Sequence, residues 1–271
     1  MAGSLFYSGI CILLCSFFAS GCAKQANLDG SPIFSVSFDD GFDAVIGKNR
    51  MASLVGRHGL TIKDDDGVLG GSAYFDATYS NSLSYSSENV GYTDHDWSGS
   101  VSFWLKVDPD SELPAGYSDP VIVSGPDWRD GSMFVDFDKS QPRQFRFGFF
   151  PNMRAWNPEG KALADLPASQ IPMIKFADHP FNSHAWTHVA WTFDAINSDG
   201  RDATVRLYLN GTLSGEIVRP MKIDWDLEKI KIAVGVNYTG YLDELKVFDR
   251  ALERDEILLL FASRNAPGQK D

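Results

Sequence analysis

Apolar and polar positions alternate along most of this chain. Short runs with every second position apolar recur from residue 33 to residue 248, separated by clusters of Gly, Pro, Asp and Asn. A period of two sends successive side chains to opposite faces of a strand. The runs predict strands over Ile33–Phe38, Gly71–Phe75, Ser82–Ser86, Ser100–Val107, Val121–Ser124 and Met133–Asp136. Further strands are expected over Phe145–Phe150, Trp186–Asp194, Val205–Leu209, Ser214–Val218, Ile230–Val234 and Tyr241–Phe248. In Ser100–Val107, Val101, Phe103, Leu105 and Val107 share one face, while Ser102, Trp104 and Lys106 share the other. In Trp186–Asp194, Val189, Trp191 and Phe193 oppose His188, Ala190 and Thr192. Asn210-Gly211 favours a type I′ turn, because both central residues of that turn need positive φ. It predicts a direct hairpin from Val205–Leu209 into the next strand. After Phe248 the period changes: Leu252, Glu256 and Ile257 fall at helical spacing, extended by Leu260 and Phe261, and predict a short C-terminal helix.

Many short strands, turn residues between them and no internal repeat predict an all-β domain, a two-sheet antiparallel sandwich. Its expected extent is 31–265, with a flexible tail at 266–271. The chain has 271 residues. A domain of this size buries about three quarters of its unfolded surface and needs no staples. Segments Asp108–Pro120, Gly125–Gly131 and Pro151–Ser183 interrupt the pattern. The last is far longer than an ordinary connection, and loops beyond about 12–15 residues in a compact domain are functional or disordered. It holds Arg154, Trp156 and Phe176, which a disordered linker would not favour.

The N-terminus departs from this grammar. Leu5 to Ala19 is an uncharged, mostly apolar run, too short to span a bilayer and of the size of a signal-peptide core. Residues 1–21 are therefore expected to be a signal peptide. Ala19-Ser20-Gly21-Cys22 resembles the bacterial lipobox, which implies cleavage before Cys22 and a diacylglycerol on its thiol. Residues 22–30 then read as a lipidated tether. That places the protein at the cell envelope, on the membrane through a lipid anchor. An ordinary signal peptide cut near Ala19 or Gly21 would release it as a secreted protein instead. The three cysteines, Cys11, Cys15 and Cys22, all lie in this first stretch, so the globular part has neither a disulfide framework nor a cysteine zinc site.

The formal net charge of -12 argues against nucleic acid, whose phosphates require clustered Lys and Arg. It suits a secreted protein or one that binds cations.

The closing segment reads Gly240-Tyr-Leu-Asp-Glu-Leu-Lys-Val-Phe248, followed by Arg250-Ala-Leu252. It resembles the end of LamG-like jelly-roll domains, members of the concanavalin A-like lectin/glucanase group. Gly71-Ser-Ala-Tyr-Phe-Asp76, Val101-Ser-Phe-Trp-Leu-Lys106, Trp186-Thr-His-Val-Ala-Trp-Thr-Phe193 and Val205-Arg-Leu-Tyr-Leu-Asn-Gly211 look like the family's inner strands, in the family's order. The resemblance covers roughly Ile33 to Ser263. It implies a two-sheet antiparallel jelly roll and a carbohydrate or protein partner. It also implies a structural Ca²⁺ between the first and last strands, at Asp39 and Asp243, with Asp40 and Asp76 as weaker candidates. Glu244 is expected to be a solvated neighbour of Asp243.

Laminarinase-type relatives carry Glu-x-Asp-x-x-Glu on one strand, and no Glu here begins that pattern. Glu253-Arg-Asp255-Glu256 comes nearest but has the wrong spacing and lies on the predicted helix. The catalytic strands of alginate-lyase-type relatives are also missing. A non-catalytic binding domain is therefore expected; the other readings are an envelope hydrolase or lyase with an unrecognised site, and a purely structural surface protein. His184 and His188 are four apart, but on a β-type segment they do not make the helical zinc pair. Asp64-Asp65-Asp66-Gly67 lacks EF-hand spacing and reads as a solvated turn. Sugars stack on aromatic rings and bond to Asp, Asn and Arg. Trp128, Arg129 and Asp130, with Arg154, Trp156 and Asn157, have that chemistry in the interrupting segments. The same tryptophans would also serve as plugs over the sandwich edge.

Overall fold

A computed structural model describes residues 28–46, 49–51, 59–79, 82–86 and 90–265. The expected signal peptide, Cys22, most of the tether and the tail at 266–271 lie outside the described residues.

The strands are β1 (Phe34–Val36), β2 (Ala44–Ile46), β3 (Asn49–Met51), β4 (Leu60–Lys63), β5 (Ser72–Phe75), β6 (Leu83–Ser86), β7 (Trp97–Lys106) and β8 (Ser118–Ser124). They continue with β9 (Ser132–Phe137), β10 (Phe145–Phe150), β11 (Met173–Phe176), β12 (Thr187–Ile196), β13 (Ala203–Leu209), β14 (Thr212–Arg219), β15 (Lys231–Val236) and β16 (Gly240–Phe248). The helices are α1 (Met153–Trp156) and α2 (Arg254–Ala262). One sheet is ten-stranded, in the order β14-β13-β12-β7-β16-β1-β2-β3, with β5 also paired to β16 and β4 to β5. The other is six-stranded, in the order β11-β10-β9-β8-β15-β6. Every strand pair is antiparallel. The result is the expected all-β, two-sheet jelly-roll sandwich with a short C-terminal helix.

The alternation decides which side chains meet between the sheets. Val101, Phe103 and Leu105 of β7 and Val189, Trp191 and Phe193 of β12 point inward. They meet Val135, Phe137, Phe145, Phe147 and Phe149 of the smaller sheet in one core. The rings interlock: Trp191 lies 5.4 Å from Phe147 and 5.7 Å from Phe103, at tilted and edge-on angles. Asn210 and Gly211 hold φ of 49° and 74°, and β13 turns directly into β14 with Leu209 opposite Thr212.

Ser102, Trp104, His188 and Ala190 take the opposite face, but that face is not bare. Helix α2 lies on it. Ile257 and Leu260 pack with Ala190, Tyr208, Phe248 and Leu252 in a second cluster, and Phe261 stacks on Trp104 at 5.8 Å. Glu253 and Glu256 close a capping box at the helix start. Arg250 grips Glu256, and its hydrogen bonds hold that carboxyl down at about 2.

Four strands fall outside the alternating runs: β2, β3, β4 and β11. The long segment 151–183 is built rather than unstructured, since it contains α1 and then β11, which adds an edge to the six-stranded sheet.

Candidate functional site

Three neighbouring strands of the six-stranded sheet, β8, β9 and β10, spend their second face on a groove. With the inward residues in the core, Ile122, Phe134, Asp136, Arg146, Gly148 and Phe150 are left on the outer face. Register fixes their neighbours: Phe134 stands opposite Ile122 and Gly148, and Asp136 opposite Arg146. The groove measures about 400 Å³, and Tyr117, Asp119, Trp128, Leu163 and Met173 complete its lining.

Its wall is aromatic. Phe150 is the hub, 5.3 Å from Phe134, 5.7 Å from Trp128 and 5.5 Å from Trp156. The tip of the Phe134 ring covers Gly148, where any Cβ would stand 2.3 Å from it. Each tryptophan is delivered by a short capped turn. Asp127 accepts from the backbone N of Arg129 and starts the 3-10 turn Trp128–Asp130. Asn152 does the same for α1 through the backbone N of Arg154. Trp128 remains 39% exposed, so its ring is available to a ligand.

The floor is polar. Arg146 donates to both oxygens of Asp136, 2.6 Å at Oδ1, and stacks 4.7 Å from the Tyr117 ring. Burial raises the Asp136 carboxyl, while the Arg146 hydrogen bonds pull it back. Asp119 has no such clamp: its side chain takes part in no hydrogen bond among the described residues, and burial with the nearby Asp136 pushes it up to about 7.

The six loop residues expected to bind ligand fall around this groove in different roles. Trp128 lines it, and Trp156 backs its hub. Arg129, Asp130, Arg154 and Asn157 line an adjoining depression of about 240 Å³ with Asp127 and Met153. Arg129 is held by Asp127 in a forked ion pair. Asn157 is buried and uses its amide on both backbone groups of Lys161, closing its own loop. The side chain of Arg154 is exposed and makes no hydrogen bond or ion pair among the described residues.

Asp39 and Asp243 both hold the loop between β4 and β5. Asp39 Oδ1 accepts from Gly71 N at 2.9 Å. Asp243, fully buried, accepts from Val68 N at 2.7 Å and from Glu244 N at 2.8 Å. Burial and the nearby Glu244 push Asp243 up to about 8. Among the described residues no group of three or more His, Cys, Asp or Glu side chains is arranged to hold a metal ion. Any Ca²⁺ here would therefore draw most of its six to eight oxygens from backbone carbonyls and water around the two carboxylates. Glu244 is not the solvated neighbour expected of it. A bulge in β16 gives it φ of 52° and turns it into the protein, where it pairs with Lys246. His188 is buried under α2, 2.9 Å from Ser102 Oγ. Burial, assisted by Lys246, drops it to about 3, so it stays neutral.

Sequence reasoning passed over Asp119, Phe134, Asp136, Arg146 and Phe150. A signal was present: Asp136 and Arg146 are charges inside strongly apolar strands, in phase with Phe134 and Phe150. Their proximity depended on the register between β9 and β10, which one chain segment does not carry.

This architecture has relatives. The sequence pattern described as the concanavalin A-like lectin/glucanases superfamily matches residues 70–258. The chain belongs to that superfamily. No curated protein matches it. Among solved structures it is similar to domain 4 of AbnA, a GH43 extracellular arabinanase from Geobacillus stearothermophilus, in complex with arabinotriose. That likeness has a TM-score of 0.51 at 18% identity and covers 84% of this chain and 97% of that one. It is also similar to the botulinum neurotoxin serotype G binding domain, with a TM-score of 0.56 at 14% identity over 87% of this chain. The binding domain of Paraclostridial Mosquitocidal Protein 1 gives 0.54 at 18% identity over 86%. The chain spans about half the length of these two binding domains, 52% in each case. At such identities the likeness establishes the fold, a lectin/glucanase-like jelly roll used by neighbours that bind carbohydrate or receptors.

Proposed function

We propose that this protein is a non-catalytic carbohydrate-binding domain of the bacterial cell envelope, and that the groove on the outer face of the six-stranded sheet is its binding site. One observation carries the reading: a partly exposed aromatic wall, Trp128 on Phe150 and Phe134, faces a polar floor of Asp119, Asp136 and Arg146. Rings take the apolar faces of sugars, and a floor of this kind bonds their hydroxyls. The neighbour solved with arabinotriose supports a saccharide, and the receptor-binding neighbours support a protein partner as the alternative. Nucleic acid is not a partner in this reading, on the strength of the net charge of -12.

A hydrolase or lyase reading draws on the same floor, because paired carboxylates are the tools of glycoside cleavage. Asp136 argues for binding instead: Arg146 donates to both of its oxygens, and a carboxylate neutralised in such a forked ion pair is a poor nucleophile or base, while its remaining lone pairs can still accept from a hydroxyl. The test is a glycan array with residues 31–271, including arabinan and laminarin. Trp128→Ala is expected to weaken binding about 5- to 150-fold, taking stacking on one ring as worth ~1–3 kcal/mol, as it is for bases on aromatic side chains. Binding that survives Trp128→Ala unchanged moves the site elsewhere. Release of reducing ends from any of these polysaccharides, abolished by Asp136→Asn, replaces the binding reading with the enzymatic one.

The envelope location rests on the sequence around Cys22. With the anchor, the protein partitions with membranes, and Cys22→Ser is expected to transfer it to the soluble fraction. Membrane association that persists in that variant defeats the lipid anchor.

A further inference from the structure

Resting on the groove as the binding site, we propose that Tyr117 is its second stacking residue, and that the ligand is a stretch of linear glycan chain reaching from Trp128 to Tyr117 rather than a single terminal sugar.

Two aromatic rings of the groove lining are well exposed, Trp128 at 39% and Tyr117 at 44%. Each stands over a residue of β10. Trp128 lies 5.7 Å from Phe150, and the Tyr117 ring lies 4.7 Å from the Arg146 guanidinium. Arg146, Gly148 and Phe150 share one face of that strand, because alternate residues do. Four residues of extended chain set the two anchors about 13 Å apart. At that spacing one sugar ring covers one platform, and a chain covers both. Phe134 lies between them, opposite Gly148, and Asp136 stands beside Arg146 with lone pairs left for a hydroxyl. Both end rings are partly exposed, so neither closes the groove against a chain that continues past it.

The loop that carries Tyr117 is braced from two sides. Asn237 Nδ2 donates to the carbonyls of Ala115 and Tyr117, at 3.2 Å and 2.6 Å. Arg143 is buried and donates to the carbonyls of Gly116 and Asp138, at 2.7 Å and 2.6 Å, and to that of Pro114. A buried guanidinium is costly unless its donors are met, and the carbonyls of this loop meet them. The bracing fixes the backbone and leaves the ring outside. A ring already held in place loses little freedom when a ligand stacks on it. Lys139 also approaches the ring, 5.9 Å from its centre. That lysine is exposed and makes no hydrogen bond or ion pair among the described residues, so its ammonium yields to a sugar or bonds a hydroxyl. Trp128 repeats the arrangement at the other end: an exposed ring on a turn capped by Asp127.

The experiment measures affinity by NMR titration for arabinose, arabinotriose and arabinohexaose, and for glucose, laminaritriose and laminarihexaose. Wild type, Trp128→Ala, Tyr117→Ala and Tyr117→Phe are compared, with melting temperatures to show that each is folded. Wild type is expected to bind the hexasaccharide of one series more tightly than its monosaccharide. Tyr117→Ala should weaken the hexasaccharide about 5- to 150-fold, the loss of one ring stack, and leave the monosaccharide unchanged. Tyr117→Phe keeps the ring and should bind as wild type does. Equal wild-type affinity for monosaccharide and hexasaccharide overturns the chain. A folded Tyr117→Ala that binds the hexasaccharide as wild type does, while Trp128→Ala weakens it, overturns the role of Tyr117 and leaves the groove standing. A Tyr117→Phe as weak as Tyr117→Ala assigns the effect to the hydroxyl and overturns stacking. Binding that neither Trp128→Ala nor Tyr117→Ala changes, or no binding of either series, removes the groove reading itself and this proposal with it.

Discussion

Asp243 shows what one residue does when strand position and chemistry disagree. Its place in β16 puts it on the outer face, yet the β4–β5 loop folds over it and excludes water. Two backbone N–H groups share its oxygens, and burial beside Glu244 outweighs them, leaving the acid raised to about 8. In the absence of a cation it therefore carries a proton at neutral pH. A structural Ca²⁺ bound by Asp243 and Asp39 would take that proton's place, because a hard cation favours the carboxylate. Asp243→Asn should melt below wild type in EDTA, since its amide NH2 would face a backbone N–H where a carboxyl oxygen accepted. Added Ca²⁺ should then raise the wild-type melting temperature by several degrees and leave the variant unmoved. Equal responses in the two proteins, or none in either, would rule the metal out. The sequence pointed to Asp39 and Asp243 through their family positions. Their joint hold on one loop became visible only when the strands were in place. Asp119 gave less away: it stands in Tyr-Ser-Asp-Pro, which reads as turn chemistry rather than as a site.

At the scale of elements, strands with buried inner faces announced themselves. β7, β12 and β10 alternate strongly because one face of each meets a packed core, and a slip by one residue would expose all of it. The β13–β14 hairpin was equally plain, since Asn210-Gly211 supplies both positive φ values. β2, β3 and β4 are three or four residues long and sit toward the sheet margin, and runs that short carry too little periodicity to register. β11 follows Pro172 inside a proline-rich segment and owes its strand form to pairing with β10, Phe145 opposite Phe176. Tertiary pairing, not local propensity, makes it a strand. The same segment contributes α1, four residues that would not be helical alone, held by the Asn152 cap and by Trp156 against Phe150.

The whole molecule answers to pH through a few buried groups that pull in opposite directions. Asp119 and Asp243 have raised folded-state values, about 7 and about 8. Their stability contribution is complete below the unfolded carboxylate value near 4 and is lost as pH rises through 7 and 8. Glu256 is depressed to about 2, so its contribution stands above about 4.5 and is lost as pH falls toward 2. His188 is a base depressed to about 3, and its contribution is lost as pH falls from about 6.5. Between pH 8 and pH 4.5 two acids outweigh one histidine, and below that the losses dominate. Metal-free protein should therefore show its highest melting temperature near pH 4 to 5. A maximum above pH 7 in EDTA would show that Asp119 and Asp243 are not the raised acids of this fold.

What the sequence determined by itself was the sandwich: alternation set the strands and their faces, turn residues set their ends, and the change of period set the final helix. These are local properties, written in spacings of two to four residues. The closing segment and its companions also carried the superfamily, because five motifs in order constrain a fold more than any one of them. Only the tertiary structure decided the site. Trp128 and Trp156 are 28 positions apart and meet on Phe150, and the clamped Asp136 and the unclamped Asp119 become neighbours through the register of β8, β9 and β10. Each of those residues has an ordinary local reading. Their chemistry follows from shared burial and from which partner reaches which oxygen, and both exist only once the sheet has closed over its core.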